Sequence, residues 1–174
     1  MQTTHVPSDP DFVTGYRVLS EDIAAGIAVL SCRRGTKTHA ITVDSYLDVS
    51  YDPPTMAVSV YEGSRIQESL ERTTHFALSV LTRAQRPVAQ WLGEPGQPLH
   101  GLLDNIPTTT TPTGIEIVDC TVAWFELETE KSVEIATHVL TVGRVTACGR
   151  AMDEAEATPP PLVRWGRQYG TFTE

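Results

Sequence analysis

Three groups of residues have the types and spacings to hold or transform a small molecule. Thr42, Ser45 and Ser50 place hydroxyls along the run from His39 to Val60, with Val43 and Asp44 between them. Hydroxyls donate and accept hydrogen bonds, as do the backbone amides beside them, so this stretch can grip the carbonyl and ring-nitrogen groups of a ligand. The plainer reading is that serine and threonine suit a half-buried strand. Gly63-Ser64-Arg65 opens a second group, ahead of a helical run. The free amides of a helix start, together with a guanidinium, make a site for an anion such as a phosphate. The same residues fit a capping box, with Ser64 accepting from the Gln67 amide and Gln67 reaching back, and the two roles can coexist. The third group is His138, at the head of the run VLTVGRV, where an imidazole can orient a ligand or handle a proton near neutral pH. For a lone histidine, a structural role is the ordinary alternative. His5, His75 and His100 have no partner pattern, and no Cys/His spacing resembles a metal site, so no metal is expected.

The elements that must position these groups are mostly strands. Residues 1–14 hold two prolines, Asp9 and Asp11 with little periodicity, and are expected to be a flexible tail ahead of one domain spanning 15–174. Tyr16 to Ala25 reads as a short helix closed by a left-handed cap at Gly26. Ile27 to Cys32, a turn at Gly35 and a return over Thr38 to Ser50 form a hairpin, whose second arm is either one strand or two. Asp52-Pro53-Pro54 then forces an extended corner, because each proline fixes its φ and Pro54 disfavours helix at Pro53. Strands follow at Thr55 to Tyr61 and His75 to Leu81, around a helix from Ser64 to Thr73. Arg83 to Leu92 has helical spacing, with Pro87 tolerated only near its start. Gly93 to Thr113, with four prolines and the run Thr108 to Thr111, reads as a long loop without a packed element, of a length that points to function or disorder. Ile115 to Val118, Thr121 to Glu128, His138 to Ala147 and, after Pro159-Pro160-Pro161, Leu162 to Tyr169 complete a mainly β chain. Such a run of strands with few helices suggests an antiparallel barrel or a sandwich.

The bulk composition narrows the partners. A chain of 174 residues, 40% apolar, buries a core without disulfide or metal support. Its net charge of −9 argues against nucleic acid and anionic membrane surfaces. No apolar run reaches the ~18 residues of a membrane helix. Cys32, Cys120 and Cys148 are odd in number and lie in strand-like runs, which reads as buried free thiols in a cytoplasmic protein.

The pattern His39-x-x-Thr42-x-x-Ser45, followed by Val49-Ser50-x-Asp52-Pro53-Pro54, resembles the flavin reductase-like, FMN-binding split-barrel family. The likeness covers Tyr16 to Phe172 and is strongest from Gly26 to Leu81. It implies a split β-barrel with peripheral helices. It also implies FMN or FAD, with Thr42, Val43, Asp44, Ser45, Ser50 and Pro53 around the flavin ring and Ser64 and Arg65 at its phosphate. His138 falls on a family histidine at the nicotinamide side and is the expected catalytic residue; His39 has a weaker case of the same kind. NADH or NADPH is the implied donor, a homodimer the implied assembly, and a monooxygenase the implied recipient of reduced flavin. The chain departs from the family pattern at three places. Asp44 stands where a neutral residue is usual, Ala136-Thr137 replaces Gly-Asp before the histidine, and Gln168 takes an arginine position. Arg164 or Arg167 can replace that arginine at a phosphate or a dimer contact, and Arg167 is the expected cofactor contact. Two rivals share the fold: a flavin-dependent oxidase or oxygenase not using NAD(P)H, and a binding protein without turnover.

Overall fold

Burial along the strands dictates how the sheet is layered. In the computed structural model, which describes residues 10–97, 101–150 and 158–171, the chain begins with helix α1 (Pro10–Glu21) and the short strand β1 (Ala25–Gly26). There follow β2 (Ala28–Arg34), β3 (Lys37–Val43), β4 (Tyr46–Tyr51), β5 (Pro54–Tyr61), α2 (Arg65–Leu70) and β6 (His75–Val80). A 3₁₀ turn (Arg83–Gln85) runs into α3 (Arg86–Gly93), and then come β7 (Thr108–Thr110), β8 (Glu116–Val118), β9 (Ala123–Ile135) and β10 (His138–Gly149). The chain closes with β11 (Val163–Trp165) and β12 (Gln168–Gly170).

Seven strands pair antiparallel in the order β3-β2-β6-β9-β10-β5-β4. Every residue of β2 from Ala28 to Cys32 is buried, so this strand carries protein on both faces. One face joins Leu30 and Cys32 to Val43 of β3, Met56, Val58 and Val60 of β5, and Phe76, Leu78 and Leu127. Strands β3 and β5 lie towards opposite ends of the sheet order yet share this cluster, so the sheet curls around its own core. The curl does not close into a continuous ladder: β3 and β4 are the two edges and do not pair, although the Ser59 amide donates to the Ser45 carbonyl at 2.8 Å. The opposite face packs Ile27, Val29 and Ala40 under Ala89 and Leu92 of α3, with Leu103 and Leu162.

Several expectations change. The second hairpin arm breaks into β3 and β4. Helix α1 starts at Pro10 rather than Tyr16, consistent with proline at a helix start and Asp11 in its first turn; residues 1–9 of the expected tail lie outside the described residues. Gly26 is not a left-handed cap. It sits in β1, where an added Cβ would lie 2.7 Å from the Tyr46 hydroxyl oxygen, so close approach rather than a left-handed φ calls for glycine. The loop after α3 contains a packed element after all, since β7 pairs with β8, which supplies the partner that threonine-rich composition alone does not reveal. The closing strand is a hairpin turning at Gly166, whose φ of 58° only glycine adopts cheaply. Only Cys32 is buried, which pushes its thiol pKa up to about 12, whereas Cys120 and Cys148 are exposed. Among the described residues, no helix is long and apolar enough to cross a membrane.

Candidate functional site

The edge strand β3 borders a cleft of about 460 Å³, in the size range of small-molecule sites. Its walls are His39, Ala40 and Ile41 of β3, the α2 start from Gly63 to Ile66, and the end of α3 with the strap that follows it, from Leu92 to Gln97. Three consecutive β3 residues line it. A strand offering one face would contribute alternate residues, so β3 presents its unpaired backbone edge, with amides and carbonyls that meet no neighbouring strand. Apolar Ile41, Ile66, Leu92 and Leu102 supply the rest of the wall.

Arg65 is the cation of this cleft. It opens α2 and donates from Nη2 to the Gln97 carbonyl at 2.6 Å, which ties the strap across to the helix. Gln97 in turn donates to the Trp91 carbonyl at 2.7 Å. Ser64 caps α2 by accepting from the Gln67 amide at 3.3 Å. The reciprocal half of the expected capping box does not form. Gln67 is buried and its Nε2 donates to Glu71 instead, because the side chain points along the helix rather than back to its start. On the inner side, Ser69 Oγ lies 2.7 Å from His39 Nδ1 and 3.0 Å from the Arg65 carbonyl. One serine hydroxyl thus ties the inner side of α2 to His39 of β3.

The remaining candidates spread around this centre. The Thr42 hydroxyl donates to the Ala89 carbonyl at 2.8 Å, so its proton anchors α3 over β3. Val43 buries its side chain in the core. Asp44, just past β3, accepts from Arg164 Nε at 2.6 Å and from the Ser45 hydroxyl at 3.1 Å. The Ser50 hydroxyl accepts from the Asp52 amide at 3.2 Å, and Pro53 stands beside it at the exposed corner before β5; neither lines the cleft. Arg167 is turned to Glu21 at 2.8 Å, and that hydrogen-bonded guanidinium holds the Glu21 carboxyl below its ordinary range. His138 is exposed at the start of β10, edge-on to Tyr61 with ring centroids 6.0 Å apart and Nδ1 3.0 Å from Thr137 Oγ1. Tyr61 packs over Gly63, where an added Cβ would lie 2.7 Å from its ring. His138 therefore stands one aromatic ring away from the cleft wall. Sequence reasoning missed the strap residues Gly93 to Gln97 and the Asp44–Arg164 pair. The glycines and prolines of the strap signalled a loop, but nothing local showed that it folds back onto α2.

An open strand edge, an apolar wall and, among the described lining residues, a single guanidinium suit a flat, hydrogen-bonding ring that carries a phosphate. The model of the flavin reductase like domain matches residues 20–173. The chain belongs to that family. This flavin reductase domain is 35% identical over 159 residues to the NADH-dependent flavin reductase StyB of Pseudomonas fluorescens, covering 90% of this chain and 88% of that one. It is 29% identical to the NADH-dependent FMN reductase AsuE2 of Streptomyces nodosus subsp. asukaensis, over 92% of this chain and 85% of the other. The solved structure of the styrene monooxygenase flavin reductase SMOB from Pseudomonas putida S12 superposes with a TM-score of 0.78 at 30% identity, over 91% of this chain and 97% of that one. The flavin reductase fold implied by the His39 to Pro54 pattern is thus the fold observed.

Proposed function

We propose that this flavin reductase domain uses NADH or NADPH to reduce FMN or FAD and releases the reduced flavin to a partner monooxygenase. The observation that carries this reading is the cleft itself, where the open edge of β3 faces Arg65 across an apolar wall in a chain of this family. Bound flavin supplies the redox chemistry, accepting hydride from the nicotinamide at N5. The chain's own residues bind and orient. Backbone groups of β3 from His39 to Val43 meet the polar edge of the ring and Asp44 and Ser45 continue that edge, while Ser50 and Pro53, the other expected ring contacts, stand at the corner outside the cleft. Ser64 and Arg65 hold the phosphate, and Arg65 exchanges the Gln97 carbonyl for it. Ile41, Ile66 and Leu92 exclude water from one face. His138, beside Tyr61, meets the donor at the rim and positions it or handles a proton. Arg167, the expected cofactor contact, donates to Glu21 and anchors α1 to the closing hairpin.

We read residues 15–174 as one domain and the assembly as a homodimer. What supports a dimer is α1: none of its residues is buried, and Phe12, Tyr16 and Leu19 form a stripe 53–70% exposed. A helix this short is marginal unless it packs against something. Three free thiols and a nicotinamide donor suit the cytoplasm. NAD(P)H oxidation with added FMN, FAD or riboflavin tests the function. Flavin binding without nicotinamide oxidation would favour an oxidase, an oxygenase or a binder, the directions in which Ala136-Thr137 departs from the family pattern.

A further inference from the structure

The Asp44–Arg164 pair joins two parts of the chain that are 120 residues apart. Asp44 follows the last residue of β3, the strand whose edge borders the cleft, and Arg164 sits in β11 opposite Ala25 of β1. The guanidinium Nε donates to Asp44 Oδ2 at 2.6 Å, and its Nη1 donates to the Gly166 carbonyl at 3.2 Å. The other carboxylate oxygen accepts from the Ser45 hydroxyl at 3.1 Å. Both side chains are about two-thirds covered, at 29% and 32% exposure, so water screens the pair only in part. The neighbouring charges on the same hairpin and on α1 are themselves paired: Glu21 takes Arg167 at 2.8 Å and Arg17 at 3.8 Å, and also lies within Coulombic reach of Arg164. The Asp44 carboxylate is thus closed by a specific partner, just beyond the β3 residues that line the cleft.

A flavin ring gains negative charge on reduction, so a fixed charge beside it changes the affinity for reduced flavin relative to oxidised flavin. A lone carboxylate at Asp44 would disfavour the reduced form, and a lone guanidinium would favour it. A closed pair does neither. We propose that Arg164 is a positioning residue that locks the Asp44 carboxylate into an ion pair and thereby sets the ratio of reduced to oxidised flavin affinity. This rests on the reading of the β3 edge as the flavin-ring site. The pair also explains how the chain accommodates a carboxylate where a neutral residue is usual: the compensating cation comes from the closing hairpin.

The test measures dissociation constants for oxidised FMN by fluorescence titration, and for reduced FMN from the potential of the bound couple, in four variants. Asp44 follows Ile41 of the cleft wall by three residues, roughly 10 Å at the ~3.3 Å rise of a strand, and a unit charge left unpaired at about that distance, at an effective dielectric of about 20, changes the affinity ratio by about ten-fold. Asp44→Asn should move the ratio about ten-fold towards reduced flavin and Arg164→Gln about ten-fold away from it, each ~30 mV for a two-electron couple. The double variant Asp44→Asn with Arg164→Gln should return to within about three-fold of the starting protein, as should Arg164→Lys, which keeps the charge. A merely structural role would weaken both forms equally and leave the ratio still. If the single variants bind FMN yet keep the ratio within two-fold, or if the double variant does not restore it, the pair does not set the ratio. If the unaltered protein binds no flavin at all, it is the flavin reading itself that fails.

Discussion

Replacing Arg65 by alanine removes the cation of the cleft while leaving its apolar wall in place. In the free protein the guanidinium already donates to the Gln97 carbonyl at 2.6 Å, so a phosphate must displace a neutral acceptor to gain a charged one. A hydrogen bond to a charged group contributes about 1.5–3 kcal/mol, and the bond given up to the carbonyl about 1 kcal/mol. The net is roughly 0.5–2 kcal/mol, or about 2- to 30-fold in the dissociation constant. Arg65→Ala should therefore weaken FMN by about that factor and riboflavin, which lacks the phosphate, by less than about two-fold. Fluorescence titration of both flavins against both proteins measures the difference. Raising the salt should shrink the gap, because Arg65 is exposed and its attraction is screened. Equal weakening of FMN and riboflavin would mean that Arg65 acts only by tying the strap, and no weakening would remove it from the site.

His138→Ala should keep flavin affinity within a few-fold and slow reduction by the nicotinamide by roughly ten-fold or more, read by stopped-flow mixing; an unchanged rate would make the imidazole structural. Ala136 holds a φ of 53° in the turn between β9 and β10, a conformation that costs an alanine ~1–2 kcal/mol. Allowing for the greater unfolded-state freedom of glycine, Ala136→Gly should raise stability by roughly 0.5–1 kcal/mol, a Tm gain of about 1–4 °C by thermal unfolding, and a drop would show that the turn is not strained. With its pKa near 12, Cys32 carries almost no thiolate at pH 8, so a thiol reagent should label Cys120 and Cys148 in the folded protein and the third cysteine only on unfolding.

Where the sequence was legible, the signal was local. The strand from Thr55 to Tyr61 after the proline corner, the Ser64 cap and the Gly35 turn each follow from a few neighbouring residues, and each stands where it is expected. The hydroxyls of Thr42 and Ser50 were legible as polar groups but not as to their partners. Thr42 holds Ala89, 47 residues away, and Ser50 serves its own corner. The same limit hid the cleft, because His39 and Gln97 meet only after β3 becomes an edge and α3 folds across it. Helix α1 was misplaced for a different reason. None of its residues is buried among the described residues, so no internal packing marks where it starts.

The most direct test of the whole account is an anaerobic mixing experiment in which the protein meets FMN or FAD and then NADH or NADPH, with flavin absorbance followed in time. A flavin reductase should bleach the oxidised flavin with turnover on the order of 1–10³ s⁻¹ with at least one nicotinamide. Flavin that stays oxidised in the presence of either donor, at concentrations where it is bound, would contradict the proposed function.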